Sequence, residues 1–117
     1  MKRALSYLAS MIVVSAIAAH AQSTHTVTLA WTQSTSSGVT ANNVYRSTIS
    51  GTQGTVIYTS TSPVTAYTDP GPLANGTTYY YCITALVGSS ESVCSSQTSA
   101  VIPNPPPAPT GLADTVQ

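Results

Sequence analysis

Charge is scarce in this 117-residue chain: acidic and basic residues occupy 5% of its positions, against about 25% in an average soluble protein. Three basic and three acidic residues cancel, and only two histidines accompany them. A basic surface for nucleic acid, an acidic cage for a metal and most acid–base catalytic sites each need several ionisable groups close together. The composition therefore argues against a nucleic-acid partner, against a bound metal or cofactor and against an enzyme.

Helical periodicity is missing as well. No stretch after residue 22 repeats apolar residues at helical spacing over three turns, whereas β-branched and tyrosine-rich runs recur between turn-forming segments. The alternation in 25–31, for example, sends Leu29 and Trp31 to one face of a strand. We expect Arg46, near the end of the second strand, to be a charge in water. The predicted fold is all-β, with strands at 25–31, 42–47, 55–59, 64–68, 77–87 and 92–102.

An apolar run long enough to cross a membrane, about 20 residues, is also absent, because serines interrupt the stretch 8–19. That stretch follows the basic start Met1-Lys2-Arg3 and ends at the small-x-small site Ala19-His20-Ala21. The combination is typical of a secretory signal peptide, which we predict over 1–21. We expect the mature chain to be secreted, extracellular or periplasmic, with no membrane contact after cleavage and in an oxidising place where cysteines can pair.

Five short motifs follow one another along the strands and turns. They are Val27-x-Leu29-x-Trp31, Asn43-Val44-Tyr45-Arg46-Ser47, Tyr67-Thr68-Asp69, Leu73-x-Asn75-Gly76-Thr77-x-Tyr79 and Ile83-Thr84-Ala85. In their order and spacing, residues 24–102 resemble a fibronectin type III domain in its secreted bacterial form. The resemblance implies an immunoglobulin-like, two-sheet Greek-key sandwich. It also implies that Trp31 lies in the core and that the Tyr79 hydroxyl bonds back to the backbone near Leu73.

Two features depart from the pattern of the family. Asn42 stands where an aromatic or another large residue is usual, so we expect the core to be wetter or thinner there. The first strand of the family, strand A, is short or missing, because only three residues separate the predicted cleavage site from the strand at 25–31. The expected core is otherwise complete and consists of Leu29, Trp31, Val44, Leu73, Tyr79, Tyr81 and Ile83.

The C-terminal residues are predicted to lie outside the sandwich. Residues 103–109 include five prolines, which cannot join a sheet interior, and should form an extended Pro-rich linker. Residues 110–117 resemble the truncated start of a following repeat module. Because strand A is short or missing, we expect an exposed sheet edge, which residues 110–116 of a neighbouring molecule would fill by weak strand-donating self-association. The alternative is a disordered tail.

Cys82 and Cys94 are the strongest chemical signal in the sequence. A hairpin centred on Gly88 places them opposite each other, with both thiols on the outer face of a sheet. We predict a disulfide, which closes a loop of about 13 residues and stabilises the fold by about 3 kcal/mol. That contribution matters in a small core without phenylalanine. Two free thiols and a redox or metal pair are the alternatives.

Tyr45, Tyr58 and Tyr80 are predicted to share the outer face of one sheet. A row of exposed rings can stack on sugars or anchor a protein, because tyrosine combines a rigid apolar plane with a polar tip. The alternative is ordinary cross-strand pairing that only stiffens the sheet. Asn75-Gly76-Thr77 fits the N-glycosylation pattern but equally fits a turn before a strand.

These patterns favour a secreted, non-catalytic module with an extracellular binding or accessory role toward polysaccharide or protein. The alternative is a purely structural spacer, or a fragment of a multi-module extracellular protein, with no ligand of its own. No catalytic, cofactor-binding or metal-binding residue is predicted.

Overall fold

A computed structural model describes residues 24–116, and every regular element in that range is a β-strand. β1 pairs with β4 in a two-stranded antiparallel sheet. The remaining strands form a five-stranded antiparallel sheet in the order β3-β2-β5, with β6 and β7 both paired to the far edge of β5. The prediction of an all-β, two-sheet fold is confirmed. The strands are β1 (Val27–Ala30), β2 (Ala41–Ser47), β3 (Thr55–Thr59), β4 (Ala66–Asp69), β5 (Thr78–Val87), β6 (Ser90–Glu91) and β7 (Thr98–Val101).

The sandwich and the C-terminal tail are separate units. Residues 24–104 form one compact unit. Residues 105–116 have no regular secondary structure and exposed side chains. The predicted signal peptide, residues 1–21, lies outside the described residues. Within 24–116, no helix is long and apolar enough to cross a membrane.

The core lies between the two sheets, and two of its predicted members lie at its margin. Trp31 and Ile83 are only half-buried, although both pack against the core. The margin is open at this side because, among residues 24–116, no strand pairs with the second edge of β1. The buried apolar cluster consists of Leu29, Val44, Leu73, Tyr79, Tyr81 and Ile102.

The connection from β4 to β5 is fixed by side-chain hydrogen bonds. The Tyr79 hydroxyl accepts a bond from Ala74 N at 2.9 Å, one residue beyond Leu73, where the resemblance placed it. Asp69 Oδ1 accepts a bond from Gly71 N at 2.9 Å, which closes the first turn. These bonds fix the start of β5, the strand that carries much of the candidate site.

The prediction of one regular last strand over 92–102 is wrong, because residues 92–97 interrupt it between β6 and β7. Those six residues lie opposite only four residues of β5, 82–85. The hydroxyls of Ser92 and Ser95 accept hydrogen bonds from backbone N–H groups of β5 at 2.9 and 3.0 Å. Serine side chains thus replace backbone carbonyls as acceptors, and the surplus residues are accommodated without leaving those N–H groups unpaired.

The expectation that Arg46 is a charge in water is also wrong. Its side chain is 24% exposed, and Nη1 donates to Asp69 Oδ2 at 2.8 Å in an ion pair that joins the two sheets. Asp69 Oδ2 accepts a second bond from the Tyr81 hydroxyl at 2.7 Å, and the guanidinium lies 5.4 Å from the centre of the Tyr79 ring. Strand alternation puts Arg46 on the same inward face as Val44, and a charge on that face needs a buried partner.

The ion pair is electrostatically satisfied. Burial alone would raise the pKa of the Asp69 carboxyl, but hydrogen bonds from Tyr81, Gly71 N and Arg46 outweigh burial and hold the pKa below its ordinary value. Burial, and then the bond to Asp69, raise the pKa of the Tyr81 hydroxyl. At neutral pH the interior therefore holds a carboxylate, a guanidinium and an uncharged phenol.

The core position at Asn42 is polar, yet its side chain is 1% exposed. Asn42 and Gln33 exchange two amide hydrogen bonds, at 2.8 and 3.0 Å. Asn42 Nδ2 also donates to Thr84 O, and Asn42 Oδ1 also accepts from Val64 N, both at 3.1 Å. Protein groups therefore satisfy this amide without water, and the corner of the core is polar rather than empty.

Candidate functional site

One face of the five-stranded sheet packs on the core, and we call the opposite face the outer face. Side chains alternate between the two faces along each strand, so every second residue of β2 and β5 lies on the outer face. The pairing of the two strands then fixes which of these residues are neighbours. The central residues of the outer face are Asn43 and Tyr45 of β2 and Tyr80, Cys82 and Thr84 of β5.

Tyr45 and Tyr80 both lie on the outer face, at diagonal positions. Tyr45 is opposite Cys82, whereas Tyr80 is opposite Ser47, two positions further along β2. Both tyrosines are half-buried. Diagonal neighbours on a sheet remain within reach of large side chains, so the two rings lie on the same side of the sheet and close enough to contact one ligand.

Tyr58 does not share this face, and the predicted row of three tyrosines is wrong. A bulge between Val44 and Tyr45 shifts the register, so that Tyr58 is opposite Val44 and Val56 is opposite Tyr45. The Tyr58 ring packs against the core and stacks on Tyr67 of β4, with ring centres 4.2 Å apart and planes 14° from parallel. Tyr58 therefore holds the two sheets together.

The predicted disulfide between Cys82 and Cys94 is present, with Cα atoms 5.7 Å apart. The hairpin is not centred on Gly88, since Val87 pairs with Ser90. Regular continuation of that register would miss Cys94 by one position, and the irregular segment 92–97 brings its sulfur back to Cys82. Cys82 is 2% exposed and lies opposite Tyr45, so the disulfide joins the segment 92–97 to β5 beside that tyrosine.

Glu91, which belongs to no motif of the sequence, is the centre of a hydrogen-bond network on the outer face. Its Oε2 accepts bonds from Tyr45 Oη at 2.5 Å, Thr84 Oγ1 at 2.6 Å and Asn43 Nδ2 at 2.9 Å. Asn43 Oδ1 in turn accepts a bond from Thr59 Oγ1 at 2.6 Å. The network connects β3, β2, β5 and β6, and it fixes the orientation of the Tyr45 ring.

The network also sets the ionisation of its members. Hydrogen bonds from Thr84, Tyr45 and Asn43 hold the pKa of the Glu91 carboxyl below its ordinary value. Donation to Glu91, together with partial burial and the negative charge, raises the pKa of the Tyr45 hydroxyl. The outer face therefore presents a carboxylate and a neutral phenol at physiological pH.

A shallow hollow of about 450 Å³ adjoins the disulfide on this face. Gln97 crosses one side of it, where Oε1 accepts from Gly51 N at 2.9 Å and Nε2 donates to Thr52 O at 2.8 Å. The hollow is lined by amides, a hydroxyl and the two sulfurs, with no charged group among its residues: Gly51, Gln53, Cys82, Cys94, Ser95 and Gln97.

The outer face therefore combines an oriented aromatic ring, a fixed carboxylate acceptor and neighbouring amide groups. Such a set suits a ligand with apolar faces and many hydroxyls, because the ring can stack while the carboxylate and amides accept and donate hydrogen bonds. Arg46, the cation of the described range, lies between the sheets rather than on this face. An anionic ligand would therefore meet only a negative charge.

A search of solved structures found a similar chain, described as the crystal structure of a Fn3-like protein from Clostridium thermocellum. The two share 36% sequence identity with a TM-score of 0.57, and the match covers 69% of this chain and 80% of the other. No family model and no curated protein matched the sequence.

Proposed function

The chain belongs to the fibronectin type III family, and we propose that it is an exported, non-catalytic module that binds a neutral polysaccharide through its outer face. The observation that carries the proposal is the Tyr45 ring, held by hydrogen bond to the Glu91 carboxylate at 2.5 Å. A pre-oriented ring pays little entropy on binding, and the carboxylate beside it accepts hydroxyl hydrogens.

The absence of a second carboxylate near Glu91 favours binding over hydrolysis. Cleavage of a glycosidic bond ordinarily uses two carboxyl groups on either side of it. Within 24–116 the other acids are Asp69, which is buried between the sheets, and Asp114, which lies in the tail. The outer face thus has an acceptor for a sugar hydroxyl but no acid–base pair.

Export is the second part of the proposal. The predicted signal over 1–21 supports it, and the Cys82–Cys94 disulfide is consistent with an oxidising compartment. A purely structural spacer is the second candidate, and the observation that favours it is the exposed, proline-rich segment 103–109. A spacer would need no contact between a ligand and the outer face.

Replacement of both Tyr45 and Tyr80 by alanine tests the binding role. We expect the wild-type chain to sediment with at least one of insoluble cellulose, xylan or chitin. The double variant should bind that polysaccharide at least about tenfold more weakly, because stacking on an aromatic ring contributes about 1 kcal/mol or more per ring. The matched control is Ile49→Ala, which removes an exposed apolar side chain from the turn after β2 and leaves Tyr45, Tyr80 and Glu91 in place.

Circular dichroism and thermal unfolding first establish that the double variant keeps the fold. The proposal is wrong if the folded variant binds as the wild type does, or if the wild type binds none of the three polysaccharides. Equal loss in the Ile49→Ala control would also contradict it, because the effect would then not belong to the outer face.

A further inference from the structure

The second edge of β1 is the most exposed backbone feature of the sandwich. Trp31 N donates to Thr65 O at 2.9 Å on the β4 side, and β1 pairs with β4 throughout its length. In an antiparallel ladder alternate residues bond to the same neighbour, so Thr28 and Ala30 direct their N–H and C=O groups to the other side. No strand within 24–116 pairs with that side, and an unpaired edge is a template for another strand.

An apolar trough runs beside this edge. Its apolar lining consists of Leu29, Ala30, Trp31, Tyr81 and Ile83, around a volume of about 220 Å³. The hydroxyl-bearing residues Ser95, Ser96 and Thr98 complete the lining. The indole N–H of Trp31 is buried and has no hydrogen-bond partner within the described residues. As far as residues 24–116 are concerned, the trough therefore offers apolar side chains, an unpaired donor and a strand edge without a partner, which is what an added extended segment requires.

The tail of the chain has the matching properties. Leu112 is fully exposed and Val116 is 87% exposed, and residues 110–116 form no regular structure. Residues four positions apart lie on the same face of an extended segment, so both side chains would enter the trough together. Asp114 lies between them on that face, and its carboxylate supplies an acceptor for the unpaired indole N–H of Trp31. We infer that residues 110–116 of one molecule add to β1 of a second copy and complete its smaller sheet.

The connection favours a second copy over the same molecule. Val101, at the end of β7, pairs with Thr78 at the start of β5, and the β4–β5 connection places that end of the sandwich beside the start of β1. An antiparallel segment must begin beside Ala30, at the other end. Residues 103–109 extend over about 22 Å at 3.1 Å per residue and would have to reverse direction before residue 110. A second copy needs no reversal.

Trp31 is the single tryptophan of the chain, so its fluorescence reports directly on the trough. The receiving protein is the full chain from Gln22 with Leu112→Asp and Val116→Asp, which silence its own tail. A synthetic peptide of residues 109–117 should shift the emission of Trp31 to shorter wavelength in a saturable way. The same peptide with Leu112→Asp should bind at least about tenfold more weakly, because it loses a buried apolar side chain and adds a second carboxylate for which the trough has no partner.

The molar mass of the chains, measured by sedimentation equilibrium, provides the second readout. The wild-type chain should grow heavier with concentration, whereas the Leu112→Asp, Val116→Asp chain should stay monomeric. The Ala30→Pro chain, which lacks one outward N–H, should also be monomeric yet associate when mixed with the tail variant. That mixture combines an intact tail with an intact edge.

Three results would overturn the inference. They are a wild-type peptide that leaves Trp31 fluorescence unchanged, two peptides that bind equally, and a wild-type chain that stays monomeric although the peptide binds to the silenced receiver. The last result would assign the trough to the tail of the same molecule. If Ala30→Pro disrupts the fold, the comparison of the wild-type peptide with the Leu112→Asp peptide decides whether the tail binds in the trough.

Discussion

The ion pair between Arg46 and Asp69 is the most demanding contact in a chain with so few charges. Removing one member of a buried pair leaves the other charge without compensation, and this costs far more than the net value of the pair. Asp69 also accepts bonds from Tyr81 and from Gly71 N, so its carboxylate fixes a sheet-to-sheet contact and a turn at once. We conclude that the stability of the sandwich depends on this one ionised carboxyl.

Asp69→Asn is expected to lower the free energy of unfolding at pH 7 by about 3 kcal/mol, the low end for a broken buried pair because Arg46 keeps some contact with water. The wild type should also lose stability in acid. The pKa of Asp69 is lower in the folded than in the unfolded chain, so its contribution is complete above the unfolded value, about 4, and is lost as pH falls through the folded value. The pKa of Glu91 is lowered in the folded chain as well, so its contribution to stability is also lost as pH falls.

Urea titrations between pH 7 and pH 2 measure both effects. The Asp69→Asn chain should be less stable at neutral pH and show a shallower decline in acid than the wild type. Asp114→Asn, which removes an exposed carboxylate of the tail, is the matched control. At protein concentrations at which the chain is monomeric, it should leave the stability at neutral pH unchanged. A parallel decline in wild type and Asp69→Asn would contradict the role given to the ion pair.

The segment between β6 and β7 explains how the disulfide forms despite its irregular register. Two surplus residues interrupt the pairing with β5. Serine hydroxyls accept hydrogen bonds from the N–H groups of β5 at the interruption. The Cα atom of Cys94 thereby lies 5.7 Å from that of Cys82. The disulfide therefore secures a part of the larger sheet in which the regular pairing of β5 with its neighbour is interrupted.

Replacement of both Cys82 and Cys94 by serine should lower the free energy of unfolding by about 3 kcal/mol, because the unfolded chain regains the freedom of a loop of about 13 residues. Denaturant titration of the wild type with and without a thiol reductant gives the comparison, and the serine variant should not respond to the reductant. Equal midpoints for the oxidised and reduced wild type would contradict a structural role for the bond.

Strand alternation and turn residues predicted the strands well, and their limits have physical causes. The bulge that turns Tyr58 inward leaves no mark in the order of apolar and polar residues, since 55–59 is apolar on both faces. Arg46 shows the opposite case. Strand alternation places Arg46 inward beside Val44, but an inward charge needs a partner, and the sequence alone does not reveal one. That partner, Asp69, lies 23 positions away along the chain.

The candidate site was predictable only in part for the same reason. Tyr45 and Tyr80 follow from the alternation along their strands. Glu91, by contrast, acquires its role from partners 7, 46 and 48 positions away, which only the pairing of β2, β5 and β6 brings together. The exchange of amide hydrogen bonds between Gln33 and Asn42 is likewise a product of the fold, and it occupies the corner of the core that was expected to be wetter or thinner.

The sandwich as a whole presents two distinct surfaces for other molecules. The outer face is polar, carries the carboxylate of Glu91 and is proposed to bind polysaccharide. The trough at the edge of β1 is apolar and is proposed to receive the tail of a second copy. Tyr81 and Ile83 line the trough from the inward side of β5, whereas Tyr80, Cys82 and Thr84 face outward on the same strand, so one occupant need not displace the other.

Backbone amide chemical shifts can locate the polysaccharide contact. A soluble oligosaccharide derived from the polysaccharide that binds is titrated into the uniformly ¹⁵N-labelled chain. We expect shifts concentrated at Tyr45, Tyr80, Thr84 and Glu91, with Leu29 and Trp31 beside the trough unaffected. Shifts centred on Trp31, or spread evenly without saturation, would contradict a binding site on the outer face.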